Sequence, residues 1–555
     1  MFQYQKVLQD AQHDVAQLSI PEKLLRLSRD TLFQEKEAIF DDCQTMQQAV
    51  LQEIWQRAKG SIYAREHGFD QVYDLATWCE QVPITTYEDY LPYIDNEMNG
   101  APHQLYHANT ELYVATTGST GKIKLFMESA AGNAAKLLVM AVRGMYMSVL
   151  LPVTQDMDAK NLTISNYIQL GNSPDGKPIM RASGQTARNL RKKTGTMNIL
   201  STQFWDIPDI APKDREYMMA VFALAESRFS KVFCNNLYAL GRVLDQIEQY
   251  DQQMVEDVRQ GSFSVVQDAT VEAILQELLP LNEARAQDLQ ALLDAQERLI
   301  TTPEDLLKIW PNFQMVSGWL SGSVGRDARE VLRRLPKATK CFEMGYGASE
   351  GKFNIPTKLA TAAGVAASFA VFFEFRPLHG DGETLFLWEV QDGEEYELII
   401  TTYSGLYRYN MLDIVRVEGF IGNTPNIKFC GKSTEFVHIG EHKVYGYQFS
   451  DLLHDVEKED SVHFDIVQVF VQEEKLYYVL QSVSKVDYDR VKQTLDRESF
   501  ARWKITSEAI YVMKEMHKQH EFDKRVTTDR GACGIKLPIV LQAAPDQNDV
   551  AAIIR

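Results

Sequence analysis

The spacing of apolar residues divides the chain into a helical beginning and an alternating remainder. Apolar side chains recur every three or four residues from Met46 through Trp55, and residues 1 to about 110 are predicted to be mostly helical. From about residue 111, strand-like segments alternate with helix-like ones, which is typical of a layered α/β fold. We therefore predict an α/β protein in which helices cover β-sheets.

Further along, the pattern predicts a capped helix, a long helical region and a group of strands. Ser129 is expected to cap a helix over Ala130–Leu151, and a charged helical region is predicted from Pro212 to about Ile300. Strands are predicted at Lys340–Met344, Ala370–Phe375, Thr384–Val390 and Tyr396–Tyr403. The last two are separated by a turn with Asp-Gly in it, so we predict that they form a hairpin.

A loop at Gly422–Pro425 separates these strands from a smaller C-terminal part. We predict a domain boundary just after it, so that residues 1–430 form the N-terminal domain and residues 431–555 the C-terminal domain. Strands are predicted in the C-terminal domain at Ile466–Val471 and Leu476–Leu480, between helices. This domain is therefore expected to be a small α+β unit.

The charge balance argues against a general nucleic-acid or membrane-surface binder. The 555 residues carry a net charge of −19, so an anionic substrate would need a local basic site. The six cysteines are scattered without a C-x-x-C pair, and their spacing indicates neither a zinc site nor a disulfide framework. The N-terminus lacks the apolar core of a signal peptide, and no apolar run is long enough to span a bilayer. We expect a cytoplasmic protein with no nucleic-acid or membrane partner.

The clearest chemical feature is a turn of hydroxyls and glycines at Thr116–Lys124, after a predicted strand around Tyr113 and Val114. Glycines let backbone N–H groups approach an anion, hydroxyls add donors, and two lysines add positive charge. The turn lacks the G-x-x-x-x-G-K-[ST] pattern of a Walker loop and the G-x-G-x-x-G dinucleotide pattern. Taken alone, it fits a phosphate-binding loop and an ordinary Ser/Thr/Gly-rich turn equally well.

Three later stretches combine turns with charged side chains: Met344–Gly351, Gly405–Asp413 and Gly531–Pro538. The first places an aromatic ring and a carboxylate beside a flexible turn. The second ends in a carboxylate, and the third carries one lysine in a glycine-rich loop. Each also fits a purely structural role: a buried aromatic turn, an Arg–Asp surface pair or a solvated lysine. Their occurrence together and in this order favours a common site.

With these stretches, the chain resembles the plant auxin-responsive Gretchen-Hagen acyl-acid amido synthetase family, within the adenylate-forming superfamily. The turn at Thr116–Lys124 is similar to the T-S-G-T-T-G-x-P-K loop of that superfamily, with Ile123 in place of proline. The resemblance extends from about Tyr63 to Pro538. Its specific pieces are Pro83–Asp89, Trp310–Asn312, Gly318-Trp319, Phe373–Phe375, Tyr396–Thr402 and Gly405–Tyr409.

The resemblance implies a large adenylate-forming domain and a small mobile C-terminal domain. It also implies an enzyme that uses ATP and Mg²⁺ to adenylate a small carboxylic acid and then transfers the acyl group to an amino acid or other amine. The C-terminal domain would swing about residues near 430 between the two reactions. We further expect a monomer. The sequence identifies no general base for the amine.

The resemblance also implies roles for individual residues. The phosphates would be held by Thr117, Gly118, Ser119, Thr120, Gly121 and Lys124, and the adenine pocket would be formed by Tyr346, Gly347, Ala348 and Ser349. Asp413 would hold the ribose hydroxyls, and Lys443 would contact the nucleotide from the hinge side. Glu350 would bind Mg²⁺ and act in catalysis together with Lys536 from the mobile domain. Arg143 and Met140 would belong to the acyl pocket, although Arg143 could also pair with a neighbouring acid.

This chain departs from the family pattern near Asp413. The run Tyr409–Asp413 stands where the family usually has Y-R-V-G-D, so an arginine and a glycine are missing. Three functions are therefore kept open: amide ligation, thioester formation by an acyl-CoA ligase, and nucleotide binding with reduced activity. The resemblance implies the first.

Overall fold

The structure is a computed structural model, and the part of the chain that it describes consists of several stretches. These are residues 3–13, 18–116, 123–151, 159–164, 169–182, 198–199, 212–265, 272, 279, 281–378, 382–482, 484–514 and 537–555.

The α-helices of this part of the chain span Gln3–His13, Ile20–Leu25, Arg29–Asp41, Cys43–Ala58, Ile62–Glu66, Leu75–Gln81, Tyr87–Met98, Ala130–Leu150, Pro212–Ala225, Tyr238–Gln260, Glu283–Gln296, Leu306–Ile309, Gly325–Arg333, Gly446–Asp460 and Tyr488–Trp503. The strands are β1 Thr110–Ala115, β2 Leu125–Ser129, β3 Lys160–Ile164, β4 Gln169–Asn172, β5 Pro178–Arg181, β6 Asn198–Ile199, β7 Phe229–Cys234, β8 Met315–Gly318, β9 Lys340–Glu343, β10 Asn354–Ile355, β11 Gly364–Ala366, β12 Phe372–Pro377, β13 Leu385–Phe386, β14 Glu395–Thr401, β15 Tyr409–Ile421, β16 Thr424–Lys432, β17 Phe436–Ile439, β18 His442–Tyr445, β19 Ile466–Gln472, β20 Lys475–Gln481, β21 Ser507–Met513 and β22 Val550–Ile554.

The predicted helices of the N-terminal part are confirmed, and they pack on a sheet whose strands come much later in the chain. Gln47, fully buried in the helix Cys43–Ala58, donates through its amide to the carbonyls of Ser368 and Val371 at 2.5 and 2.7 Å. The same amide accepts from the backbone N–H of Phe373 at 2.8 Å. A buried amide that satisfies three backbone groups fixes the helix to the start of β12 and excludes water from the contact.

The sheet under these helices has seven strands in the order β10-β11-β16-β15-β14-β12-β13. Its longest pairing is the β15–β16 hairpin, in which Ile421 faces Thr424 across the two-residue turn Gly422-Asn423. At the far end of the same hairpin Asp413 faces Lys432. The hairpin therefore brings a carboxylate and an ammonium group together at the edge where β15 begins.

The hairpin predicted for Thr384–Val390 and Tyr396–Tyr403 is wrong. Only Leu385–Phe386 of the first segment is a strand, and it pairs with β12 rather than with β14. β14 instead pairs with β12 on one side and β15 on the other. After Phe386 the chain turns, and the carboxylate of Glu389 accepts from the backbone N–H of Phe386 at 2.8 Å. This local hydrogen bond ends the strand although apolar residues continue.

A second sheet consists of parallel strands in the order β6-β3-β7-β8-β9. Its strand β7 lies inside the region Pro212 to Ile300 that was predicted to be helical, so that prediction is wrong between Phe229 and Cys234. Both faces of β7 are mostly buried between helices. The strand reads F-S-K-V-F-C, and because the polar Ser230 and Lys231 follow each other it lacks the alternation that identifies a strand.

The predicted cap of the helix after β2 is confirmed. The hydroxyl of Ser129 accepts from the backbone N–H of Gly132 at 3.0 Å and donates to the carbonyl of Tyr403 at 2.8 Å. The helix runs from Ala130 to Leu150. Ser129 therefore starts the helix and at the same time fixes it to the loop after β14.

In the C-terminal part, the sheet β19-β20-β21-β22 packs against the helices Gly446–Asp460 and Tyr488–Trp503. The predicted strands at Ile466–Val471 and Leu476–Leu480 are confirmed as β19 and β20. This part has an apolar cluster of its own, which includes the fully buried Phe449. The predicted boundary at residue 430 stays a prediction.

Two further observations concern membrane-spanning helices and cysteines. None of the helices among the described residues is long and apolar enough to cross a lipid bilayer. The five cysteines in the described ranges are free thiols.

Candidate functional site

The candidate site centres on Asp413, near the beginning of β15. Its carboxylate is buried and accepts a hydrogen bond of 2.5 Å from the phenol of Tyr346. Burial raises the pKa of Tyr346 well above its usual value, and the neighbouring Asp413 raises it further. The phenol therefore stays protonated and acts as a donor, and one oxygen of the carboxylate is fixed toward the loop after β9.

Lys432 supplies the positive charge at this carboxylate. Its ammonium group forms an ion pair with Asp413 Oδ1 and donates to the carbonyl of Met411 at 3.2 Å. Burial alone would lower the pKa of Lys432, but the charges of Asp413 and Glu350 outweigh it, and the pKa is raised. Lys432 is thus held in its charged form between two carboxylates.

A turn places Glu350 near Asp413 and Lys432. Tyr346 accepts from the N–H of Phe353 at 2.9 Å, and Gly351 accepts from the N–H of Ala348 at 2.9 Å, so the segment folds back on itself. Gly345 starts this segment with a φ of +86°, a left-handed conformation that favours glycine. Burial raises the pKa of Glu350, an effect that the charges of Lys432 and Lys124 oppose. Glu350, Asp413 and two lysines therefore share one electrostatic site.

Positions 117–122 of the predicted phosphate loop lie outside the described residues. They include Thr117, Gly118, Ser119, Thr120 and Gly121. On either side of these positions, a backbone hydrogen bond connects Thr116 with Lys124: the N–H of Thr116 donates to the carbonyl of Lys124 at 2.9 Å. The Lys124 ammonium lies 5.0 Å from the ring centre of Tyr87 and close enough to Glu350 to lower its pKa. Lys124 thus lies within electrostatic reach of Glu350.

The residues of the predicted adenine pocket contact other protein side chains. The Tyr346 ring stacks on Phe429 with ring centres 5.2 Å apart, and its other neighbour is Phe353 at 4.8 Å. Ala348 is half-buried, and Ser349 is buried with its carbonyl accepting from Lys136 at 2.8 Å. At Gly347, an added Cβ would come within 2.7 Å of the side chain of Lys352. Their contact with adenine stays a prediction.

The two other predicted lysines are Lys443 and Lys536, and only the first lies among the described residues. Lys443 is exposed on β18, with its ammonium 4.2 Å from the ring centre of Phe436. No hydrogen bond or ion pair in the described part of the chain connects it with Glu350 or Asp413. Lys536 lies outside the described residues.

Arg143 and Met140 lie on the helix Ala130–Leu150, and both are half-buried. The Arg143 guanidinium donates to the carbonyl of Met344, and burial lowers its pKa to about 10. Its neighbouring acid is Glu343, whose pKa is raised to about 8 by burial in spite of N–H donors from Leu320 and Gly345. The charge of Glu343 acts on Arg143 without an ion pair between them among the described residues, and both roles kept open for Arg143 stay predictions.

A small cavity of about 10 Å³ lies beside Glu350, enough for one water molecule. It is lined by Lys136 and Lys352 as well as Glu350, but by neither Arg143 nor Met140. Lys136 forms an ion pair with the buried Glu128. Burial, with Arg143 and Lys136 nearby, lowers the pKa of Lys352 to about 7. A basic group of this kind was not predicted from the sequence.

The departure from the family pattern has a structural description. Leu412, where the family has glycine, adopts a φ of +53°, which costs a residue with a side chain about 1–2 kcal/mol. Asn410, where the family has arginine, accepts from the N–H of Leu412 at 2.8 Å and donates to Glu397 at 3.0 Å. Asn410 thus stabilises the strained backbone next to Asp413, and the carboxylate keeps its place.

Arg408, which precedes this run, forms its contacts inside the protein core. Arg408 is buried and pairs with the buried Glu374, with a nitrogen–oxygen distance of 2.9 Å. It also donates to the carbonyls of Cys79 and Val82, both at 2.9 Å. The alternative of an Arg–Asp surface pair in this stretch is therefore wrong, because Arg408 is paired inside the protein and Asp413 is paired with Lys432.

Lys432 is the main residue that sequence reasoning missed. The signal was present, because counting outward from the two-residue turn Gly422-Asn423 places Ile421 opposite Thr424 and Asp413 opposite Lys432. Two irregularities in the hairpin cancel, so this simple count gives the observed pairing.

Comparison with protein families matches residues 33–331, more than half of the chain, to the GH3 family N-terminal domain. Residues 364–432 match the GH3 family central domain. The second match ends at Lys432, the last residue of β16. The two matches together contain Glu128 and Asp413 but end before the C-terminal sheet.

Among known proteins, the chain is 24% identical to "Indole-3-acetic acid-amido synthetase GH3.2" of Arabidopsis thaliana, over 72% of this chain and 76% of that one. It is 23% identical to "Jasmonoyl--L-amino acid synthetase JAR4" of Nicotiana attenuata, over 74% and 73%. Among solved structures, it matches the GH3.15 acyl acid amido synthetase in complex with 2,4-DB with a TM-score of 0.79 and 16% identity, over 95% of this chain and 97% of that one. That likeness shows a shared fold.

Proposed function

This chain belongs to the GH3 family, and from that premise we propose that it is an ATP-dependent acyl-acid amido synthetase. It would adenylate a small carboxylic acid and transfer the acyl group to the amine of an amino acid. The observation that carries the proposal is the convergence of Glu350, Asp413, Lys432 and Lys124 from four separate segments. The named relatives are amido synthetases that act on indole-3-acetic acid and jasmonate, and these acids are the first to test.

Adenylation brings together two anions, a carboxylate and ATP, so the site must neutralise charge. Lys432 and Lys124 supply fixed positive charge near Glu350. Asp413, whose carboxylate is held by Tyr346 and Lys432, is proposed to accept from the ribose hydroxyls. The N–H groups and hydroxyls of Thr117, Gly118, Ser119, Thr120 and Gly121 are proposed to surround the phosphates.

The residues at this site fit a magnesium ion. Glu350 is a carboxylate whose pKa is raised by burial and by Asp413, so an added divalent cation would be favourable there. Mg²⁺ is commonly held by one or two carboxylates together with substrate phosphates, and Glu350 is the proposed ligand. When bound, the ion would neutralise charge on the phosphates.

Lys536 is proposed to reach the phosphates from the C-terminal domain, residues 431–555, which would swing about residues near 430. Lys443 is then proposed to contact the nucleotide in one of the two positions. We also propose that Arg143 and Met140 contribute to the acyl pocket and that Tyr346, Gly347, Ala348 and Ser349 contact adenine. A cytoplasmic monomer is the proposed state of the protein.

The deciding experiment is pyrophosphate exchange with a panel of carboxylic acids that includes indole-3-acetic acid and jasmonic acid. Acid-dependent exchange supports adenylation, and its absence from the whole panel would favour the nucleotide-binding protein with reduced activity. Active acids are then combined with amino acids or with coenzyme A. An amide product supports the proposal, whereas a thioester would identify an acyl-CoA ligase instead.

The role of Lys536 is tested by Lys536→Ala. We expect adenylation to slow by about 10²–10³-fold while ATP binding is nearly unchanged, because the lysine acts on charge in the transition state. Lys458→Ala, an exposed lysine of the same part of the chain, is the control. Adenylation at the original rate in Lys536→Ala would exclude the proposed role.

A further inference from the structure

A cluster of metal-binding side chains lies away from the candidate site, where the C-terminal part contacts the rest of the protein. The helix Gly325–Arg333 contributes Glu330, and the segment before β19 contributes His463 and Asp465. One potential ligand atom from each of these three side chains lies within 4.8 Å of the other two. None of the three residues has a role in the function proposed above.

The imidazole of His463 gives a second, independent indication of a ligand. Both of its ring nitrogens are shielded from solvent; Nδ1 faces the carboxylate of Glu457, and Nε2 has no hydrogen-bond partner within the described residues. A shielded polar group without a partner is costly, so such groups in folded proteins usually have a ligand. Its Nδ1 lies 3.2 Å from Glu457 Oε1. A carboxylate next to one imidazole nitrogen is the arrangement that commonly orients the other nitrogen toward a metal.

The surrounding contacts hold the cluster together. Arg326, one turn before Glu330 on the same helix, forms an ion pair of 2.5 Å with Glu457. It also donates to the carbonyl of Phe464 at 2.8 Å, and Phe464 donates its N–H to Glu457 at 2.8 Å. The backbone on both sides of Phe464 is thus anchored, and His463 and Asp465 are positioned beside the helix that carries Glu330.

Charged groups of both signs surround the cluster. Glu330, Asp465 and Glu457 are three carboxylates. The helix Gly325–Arg333 carries three guanidinium groups, Arg326, Arg329 and Arg333, of which Arg326 pairs with Glu457. One nitrogen and two carboxylate oxygens are ligands that Zn²⁺ accepts.

We propose that Glu330, His463 and Asp465 form a divalent-metal site, suited to Zn²⁺, that connects the C-terminal part to the helix Gly325–Arg333. Zinc binds such ligands at about 2.0–2.2 Å, so the three side chains would have to move closer together around an ion. Because the ligands come from both sides of this contact, a bound ion stabilises the arrangement described here. The proposal does not depend on the ligase function.

The test is equilibrium dialysis of the full chain against Zn²⁺ alone, without ATP. We expect His463→Gln and Asp465→Asn each to bind one zinc ion fewer than the original protein, or to bind it at least about tenfold more weakly. His438→Gln, which changes an exposed histidine of the same part of the chain, is the matched control and should bind as the original does. Zinc held by cysteines or by Glu350 is common to all four proteins and cancels in the comparison.

A second measurement, the thermal midpoint of unfolding, keeps the proposal testable if His463→Gln fails to fold. A saturating ion that binds only the folded protein raises the thermal midpoint, and we expect Zn²⁺ to raise it in the original protein and in His438→Gln but less in Asp465→Asn. If Asp465→Asn folds and binds zinc as the original protein does, or if the original binds none, the proposal is overturned. The same conclusion follows if zinc raises all the midpoints equally.

Discussion

Tyr346 and Asp413 are 67 residues apart in the chain, and the phenol of the first donates a 2.5 Å hydrogen bond to the carboxylate of the second. This contact joins the loop after β9 to the start of β15 and leaves the carboxylate with a fixed orientation. Lys432 pairs with its other oxygen. The first two predictions follow from these contacts.

Asp413→Asn should weaken ATP binding by about tenfold or more, because a hydrogen bond to a charged group contributes about 1.5–3 kcal/mol. The substitution keeps the shape of the side chain and removes only its charge. Isothermal titration calorimetry with ATP and Mg²⁺ measures the effect. Glu418→Gln, on the exposed part of the same strand, should bind ATP normally. Equal ATP affinity in the two variants would contradict the assignment of Asp413.

Lys432→Met should move the acidic side of the adenylation pH profile to higher pH. The charge of Lys432 lowers the pKa of Glu350, which burial has raised, so its removal raises that pKa further. Glu350 then becomes ionised, and able to bind Mg²⁺, only at a higher pH. Pyrophosphate exchange rates between about pH 5 and 8 give the profile. Lys428→Met, on the same strand and paired with Glu418 at the surface, is the control and should keep the original profile.

Glu343 should make the protein less stable as the pH rises. Burial raises the pKa of its carboxyl to about 8 in the folded protein, so the folded state holds this proton more tightly than the unfolded chain does. The resulting stability is complete below the ordinary glutamate pKa of about 4.3 and is lost as the pH rises to about 8, at about 1.4 kcal/mol per pH unit.

Chemical denaturation at several pH values tests this dependence on Glu343. Glu343→Gln should remove the decrease between pH 5 and 8, whereas Glu88→Gln, at an exposed helical position, should retain it. Curves of equal slope for Glu343→Gln and the original protein would show that another group is responsible.

Arg408→Met should lower the free energy of unfolding by about 3–5 kcal/mol, because it leaves the buried Glu374 without a countercharge. Replacing both partners, with Arg408→Met and Glu374→Gln together, should cost less than Arg408→Met alone. Arg376→Met, which breaks a half-exposed pair with Glu397, should cost no more than about 1 kcal/mol. If the double variant is no more stable than Arg408→Met, the unpaired charge is not the cause.

Sequence reasoning predicted the elements whose local and tertiary preferences agree. Ser129 is both a good N-cap and a partner of Tyr403, so its helix was placed correctly. The strand Phe229–Cys234 was hidden because the polar Ser230 and Lys231 follow each other, which removes the alternation of apolar and polar residues. The segment Thr384–Val390 is apolar enough for a strand, but it turns at Leu387 to Glu389.

The same distinction applies to the candidate site. The resemblance supplied Glu350 and Asp413, which the structure brings into one electrostatic environment. Lys432 and Lys352 act through partners that are distant in the chain or buried beside them, and their residue type alone gives no signal. Only the hairpin count from Gly422-Asn423 could have identified Lys432.

The attachment of Gln47 to the backbone near Phe373 has a consequence for synthesis on the ribosome. The apolar cluster around these residues extends from Tyr4 to Ile427, so the faces of the first helices that pack on the sheet are not covered until most of the chain has followed. At about 5–20 residues per second, that delay is on the order of 20–80 seconds. During this delay, apolar faces of the N-terminal helices are exposed. We therefore expect chaperones to bind this protein early in translation.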